Sequence, residues 1–171
     1  MIFRLSHKLN AKIKAGALPT LPPDANPFVD WSAHLFVADR TQYILLSNTK
    51  SLYSTVMYGR GITDDGHFIK RALGSLREFM EDDGLGFLYR SFIAPESGTA
   101  RFARASSRAV TGSMNELVMY ATALLAEGEL SPFDVGFRLN DFLLSASAAS
   151  ETEKYGKPRE AFKAMASSIE G

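Results

Sequence analysis

The chain has 171 residues, enough for one domain with a real core, and its 46% hydrophobic and 22% charged residues are those of an ordinary globular protein. Nineteen basic and nineteen acidic residues cancel. That disfavours a protein built around nucleic-acid affinity, because neutralising phosphates takes a basic excess. The absence of cysteine excludes disulfides, thiolate zinc sites and cysteine nucleophiles, and the longest near-continuous apolar run, 117–126, is too short to span a bilayer.

Residues 1–5 read as a short strand. From Ser6 the apolar spacing changes to fours through Leu9 and Ile13, a helix that Gly16 can stop. This start carries four cations and no acid over residues 1–14, but lacks the apolar core and cleavage pattern of a secretory signal. A cytoplasmic protein with no membrane partner is the expectation. "LPTLPPDANP" holds four of the seven prolines and is an extended connector. "AHLFVA", "QYILLS" and "SLYSTVMY" are short, β-rich and separated by turn residues, so residues 33–58 read as an antiparallel meander, with Trp31 lidding the core.

From Thr63 the period is helical. Phe68, Leu76 and Phe79 share a buried face, Asp64 and Asp65 sit in the first turn and Gly84 ends the element. The stretch after Phe87 fits a hairpin turning at Pro95–Gly98, or a continued helix through 87–93. Two helices follow, one with a stripe from Met114 to Leu125, the other opened by Ser131 as N-cap and Pro132 at its first position. Residues 146–171 read as a polar linker and a short C-terminal helix or tail outside a single domain at 1–145. Those past Ala149 are expected to add little to the core. Strands precede helices rather than alternating with them. The fold class is therefore α+β: a small, mainly antiparallel sheet of about four to five strands with three or four helices packed on it.

"RAVTGSMNE", 108–116, carries the most information. Ser113 as N-cap and Glu116 three residues on form a capping box, with Gly112 easing the turn. The same atoms suit an anion, which favours a helix N-terminus. Arg101, Arg104 and Arg108 could supply charge, and Gly112, Ser113 and Asn115 the close approach. Glu116 opposes this, and the loop lacks the Lys-Ser/Thr ending of a P-loop.

This stretch resembles an uncharacterised bacterial family, a domain of unknown function, through the pattern Arg-x-Val-x-Gly-Ser-Met-Asn: Arg108, Val110, Gly112, Ser113, Met114 and Asn115. "DWSAHLF" around Trp31 and "SNTKSLYS" at 47–54 are similar too, so the resemblance spans roughly 1–145. The chain departs from it at Ser6 and His7, where threonine and lysine are usual. The resemblance implies no activity and no catalytic residue.

Other constellations are weaker. "YGRGITDDG" places Asp64 where a dinucleotide fingerprint needs its third glycine. Asp64, Asp65 and His67 are explained by the helix dipole, and no metal or cofactor is expected. His34 reads as a core or edge histidine without a Gly-x-Ser-x-Gly partner, which leaves a hydrolase of Ser113, His34 and an aspartate a distant possibility. The reading is a non-enzymatic binding or interaction module, with a protein partner or a second copy as its partner class. The alternative is a phosphate-, nucleotide- or nucleic-acid-linked protein with an anion site at the helix start near Gly112–Ser113.

Overall fold

The computed structural model describes residues 1–144 and 156–170. Five strands form one sheet in the order β4-β3-β2-β1-β5: β1 Ile2–Leu5, β2 Asp30–Ala38, β3 Thr41–Asn48, β4 Ser54–Tyr58 and β5 Arg101–Ala103. The meander β2-β3-β4 is antiparallel as the turn spacing dictates, with Ala33 opposite Leu46 and Ile44 opposite Met57. The sheet as a whole is mixed, because β1 runs parallel to both β2 and β5. The class is α+β, and the expected antiparallel character holds for one half only. Nothing local in a four-residue strand fixes its partner; the pairing is set by burial of Phe3 and Leu5 beside Trp31 and Ala33.

Period-two alternation splits the sheet side chains between two layers. Phe3, Leu5, Trp31, Ile44, Leu46 and Met57 face one core. It is covered by α1 (His7–Ile13), α2 (Asp65–Asp82) and α6 (Pro158–Glu170), through Leu9 and Ile13, Phe68, Leu76 and Phe79, and Phe162 and Met165 respectively. Phe36, Tyr43, Leu45 and Val56 face a second core under α4 (Arg108–Ala126). Helix α5 (Pro132–Asn140) lies along the β4 edge and serves both: Phe133 and Phe137 pack on Phe79, while Val135 and Leu139 join the second core. Its cap is as expected, Ser131 accepting from the Asp134 N–H.

The stretch after Phe87 is helical, not a hairpin. A turn of α3 (Gly86–Leu88) runs into a π-helical turn at Tyr89–Ile93 and a 3-10 turn at Ala94–Glu96 before β5. Burial of Leu88, Tyr89 and Ile93 needs three residues on one side within six positions, which a helix supplies and a strand does not.

Near β1 the second face is closed without a helix. Buried Arg4 makes a bidentate pair with Asp30, both bonds 2.8 Å, and its remaining donors reach the Leu21 and Pro22 carbonyls at 3.0 Å. The proline-rich connector is thus drawn over the sheet. A buried charge of this kind is tolerated because every donor direction is used.

The expectation that residues past Ala149 add little to the core is overturned. Phe162 is fully buried, stacked on Tyr53 at 4.3 Å and edge-on to Phe28 and Trp31. Arg159 donates to both Asp83 oxygens, at 3.1 and 3.0 Å, and pairs with Asp141. Asp83 also accepts from the Tyr53 hydroxyl at 2.8 Å. Burial first, then the Asp83 charge and hydrogen bond, hold the Tyr53 hydroxyl far above its ordinary range and hence neutral. Burial works against the Arg159 charge, but Asp83 and Asp141 outweigh it and raise its pKa. Polar composition at 145–157 hid this docking; the segment 145–155 itself lies outside the described residues.

Candidate functional site

Strand β1 is shorter than the strand beside it. Its register with β2 ends at Leu5 opposite Ala33, and β2 runs on to Ala38. The chain leaves the sheet here because Ser6 is an N-cap, its side chain accepting from the Leu9 N–H at 3.2 Å, and α1 turns onto the first face. Strand β5 stops at Ala103, and after it α4 turns onto the second face. Two neighbouring parallel strands therefore send their following helices to opposite faces, the arrangement that opens a crevice beyond strand ends.

A cleft of about 800 Å³ occupies that place. Its floor is the free edge of β2 at His34, Leu35, Phe36 and Val37; its walls are His7, Lys8 and Ala11 of α1, and Asn115 and Val118 of α4. Val37 is 57% exposed, one of the few large apolar side chains left open. Burial lowers the His34 pKa, so its imidazole is neutral near pH 7. Among the described residues no carboxylate lines the cleft, whereas Lys8 and His7 do, and no acid occurs before Asp24 in the sequence.

A second, shallower cleft of about 430 Å³ adjoins it through Asn115 and is lined by Ser107, Arg108, Thr111 and Gly112. Here the expected helix start is corrected. The N-cap of α4 is Ser107, accepting from the Val110 N–H, six residues before the predicted cap. Gly112 is a helical residue in the second turn. Ser113 is fully buried with its Oγ unbonded among the described residues, and one oxygen of Glu116 is likewise unbonded, so the capping box does not form. Two Ser-x-x signals overlap in this sequence, and the upstream one wins because it lets Val110 as well as Met114 and Leu117 reach the second core.

Of the six residues expected around an anion, Arg108, Gly112 and Asn115 share this cleft. Arg101 lines a separate hollow with Glu96 and Thr99. Arg104 is occupied structurally, its Nε donating to the Leu18 carbonyl at 2.9 Å. Asp64 is the N-cap of α2, accepting from the His67 N–H at 2.8 Å and pairing with the His67 ring, both side chains more than half exposed. Among the described residues no group of three His, Asp or Glu could hold a metal ion. Sequence reasoning missed His7, Lys8, Leu35 and Val37. The acid-free N-terminal stretch was a visible signal; the vacated strand position was not, since it exists only in the β1/β2 register.

The fold and cleft thus define a small α+β domain with a mixed five-stranded sheet and a groove beside its central strands. Residues 2–161 match the family model described as "Domain of unknown function (DUF6933)", and the chain belongs to that family. No curated protein and no solved structure matches it. Among the described residues, no helix is long and apolar enough to cross a membrane.

Proposed function

We propose that this chain is a non-enzymatic binding module that takes its ligand in the cleft along the free half of β2. What supports the reading is the juxtaposition of exposed Val37 with strand backbone left unpaired between two helical walls. A hydrolytic role is disfavoured by placement: Ser113 is buried within α4 and is not among the cleft residues that surround His34. The test is selection of a displayed peptide library, unbiased in charge, against the intact chain. Survivors are expected to lose binding to the exposed-residue variants Val37→Lys and Asn115→Arg. Survivors that hold both variants as tightly as the native chain, or no survivors, would remove the reading.

A second reading rests on the adjoining cleft, where Arg108, Gly112 and Asn115 stand together at the first turns of α4. Under it the module binds a phosphate group, aided by the helix dipole. A saturable rise in melting temperature across a phosphate titration, absent in Arg108→Ala, would favour it. Parallel curves for the two proteins would dismiss it, because sulfate and phosphate also stabilise proteins by general exclusion.

A further inference from the structure

We infer that the vacated position beside β2 receives an extended, acidic peptide segment of a partner protein as an added strand; this rests on the binding-module reading and names its partner class. The backbone carries the argument first. Ser6 N–H donates to the Ala33 carbonyl at 2.9 Å, so Ala33 points its polar groups toward β1. Strand alternation then points those of Leu35 and Val37 the same way, while His34, Phe36 and Ala38 face β3. Beyond Leu5 no strand of the described residues meets them. Among the described residues, neither the N–H nor the C=O of Leu35 or Val37 is hydrogen-bonded. Such a row is a ready template for another strand.

The walls select the shape of the occupant. Lys8 and Ala11 of α1 stand over one face of the free edge and Asn115 and Val118 of α4 over the other. A single extended chain fits between them. A second copy of this protein would bring its own α1 and α4 into the same space. The free stretch, His34 to Ala38, is roughly 17 Å long at about 3.3 Å per residue.

Charge selects the sequence of the occupant. Among the described residues the titratable groups lining the cleft are His7, Lys8 and His34, with Arg108 beyond Asn115 at its far mouth. Lys12 stands beside Lys8's helix face and donates to Gln42 at 2.8 Å. Carboxylates on the incoming strand would meet Lys8 and, at the far mouth, Arg108, and apolar side chains in alternation would cover Leu35, Val37 and Val118.

The probe is a short blocked peptide alternating glutamate and valine, compared with its lysine–valine counterpart and with a version N-methylated at every second residue. The glutamate peptide is expected to bind the intact chain and to slow hydrogen exchange of the Leu35 and Val37 amides by roughly tenfold or more. Lys8→Glu should weaken it by roughly tenfold at low salt. Methylation on the pairing side should abolish binding, a control that needs no protein variant. Val37→Pro, which removes one free N–H without touching the β2–β3 ladder, should do the same while the melting curve stays native. Equal binding of the methylated peptide, preference for the lysine peptide, or binding without protection of both amides overturns strand addition. So does amide protection in the free protein that rises with its own concentration, which would place a second copy on this edge. Library survivors that bind the cleft but are basic or helical would sink strand addition while leaving the binding module standing.

Discussion

The sheet has two stretches of edge that meet α-helices, and they are treated differently. Along β4, α5 lies across the edge and Asn140 inserts its amide into the strand backbone, accepting from the Ser54 N–H at 2.7 Å and donating to the Ser54 carbonyl at 2.8 Å. A side chain there imitates a neighbouring strand. Along β2 beyond Ala33, α1 and α4 stand to either side, but among the described residues no side chain hydrogen-bonds to the Leu35 or Val37 backbone. Covering and plugging are thus separable. A fold can bury the faces of a strand and still leave its hydrogen-bonding side open, and the chemistry left over differs: a closed edge contributes stability, an open one offers recognition.

The closed edge should be the costly one to disturb. Phe79 carries α5 by packing on Phe133 and Phe137, at 5.5 and 4.6 Å, so Phe79→Ala should cost ~3–5 kcal/mol by chemical denaturation. A loss under ~1 kcal/mol would mean that α5 does not depend on this contact. Asn140→Ala strands a buried N–H and C=O together and should cost ~2–4 kcal/mol. It should also promote concentration-dependent association through β4, readable by sedimentation. A variant that stays monomeric and stable would show that α5 alone shields the edge.

On the open side the expected effects shrink. Ser107→Ala should cost ~0.5–2 kcal/mol, as loss of an N-cap does. Ser113→Ala should cost nothing, since its buried hydroxyl makes no bond to lose. The reverse order would restore the helix start to Ser113. The smallest effect belongs to His34, whose pKa burial lowers from the ordinary 6.5. The unfolded chain then takes up its proton at a higher pH than the folded one. Stability should fall as pH drops through about 6.5 and level off below the folded value. His34→Gln should flatten that slope in melts taken across pH; an unchanged slope would assign it to other groups.

Much of this architecture was legible in local chemistry. Alternation and turn residues gave the meander over 33–58, although β2 starts earlier, at Asp30, and takes Trp31 into the sheet as a buried residue rather than a lid. Acids before an apolar stripe gave α2, and Ser131-Pro132 gave the start of α5. Gly84 and Gly128 both hold positive φ just past helix ends, as an L-residue would do only under strain. What stayed hidden depends on distant partners. The parallel seating of β1 is decided by partners 28 positions away, and the cleft exists only because that strand is short. Arg108, Gly112 and Asn115 line one cleft, inside a helix rather than before one. Arg101 and Arg104 do not join it: β5 carries Arg101 to a separate hollow, and Arg104, just past the strand, is held by the Leu18 carbonyl.

The seat filled by Phe162 bears on how this chain comes off the ribosome. Phe28, Trp31 and Tyr53 belong to the first third of the sequence, yet their shared aromatic slot is closed by a residue made more than a hundred positions after Tyr53. The sheet and its first layer can assemble during synthesis, since contiguous early segments fold as they emerge. The slot must wait. Throughout that interval the nascent protein presents an unfilled aromatic surface and an uncompensated Asp83, features by which chaperones and proteases sort chains. A chain cut before α6 would leave that slot unfilled and Asp83 without its Arg159 partner, so the order of synthesis leaves these early residues waiting on a helix made much later.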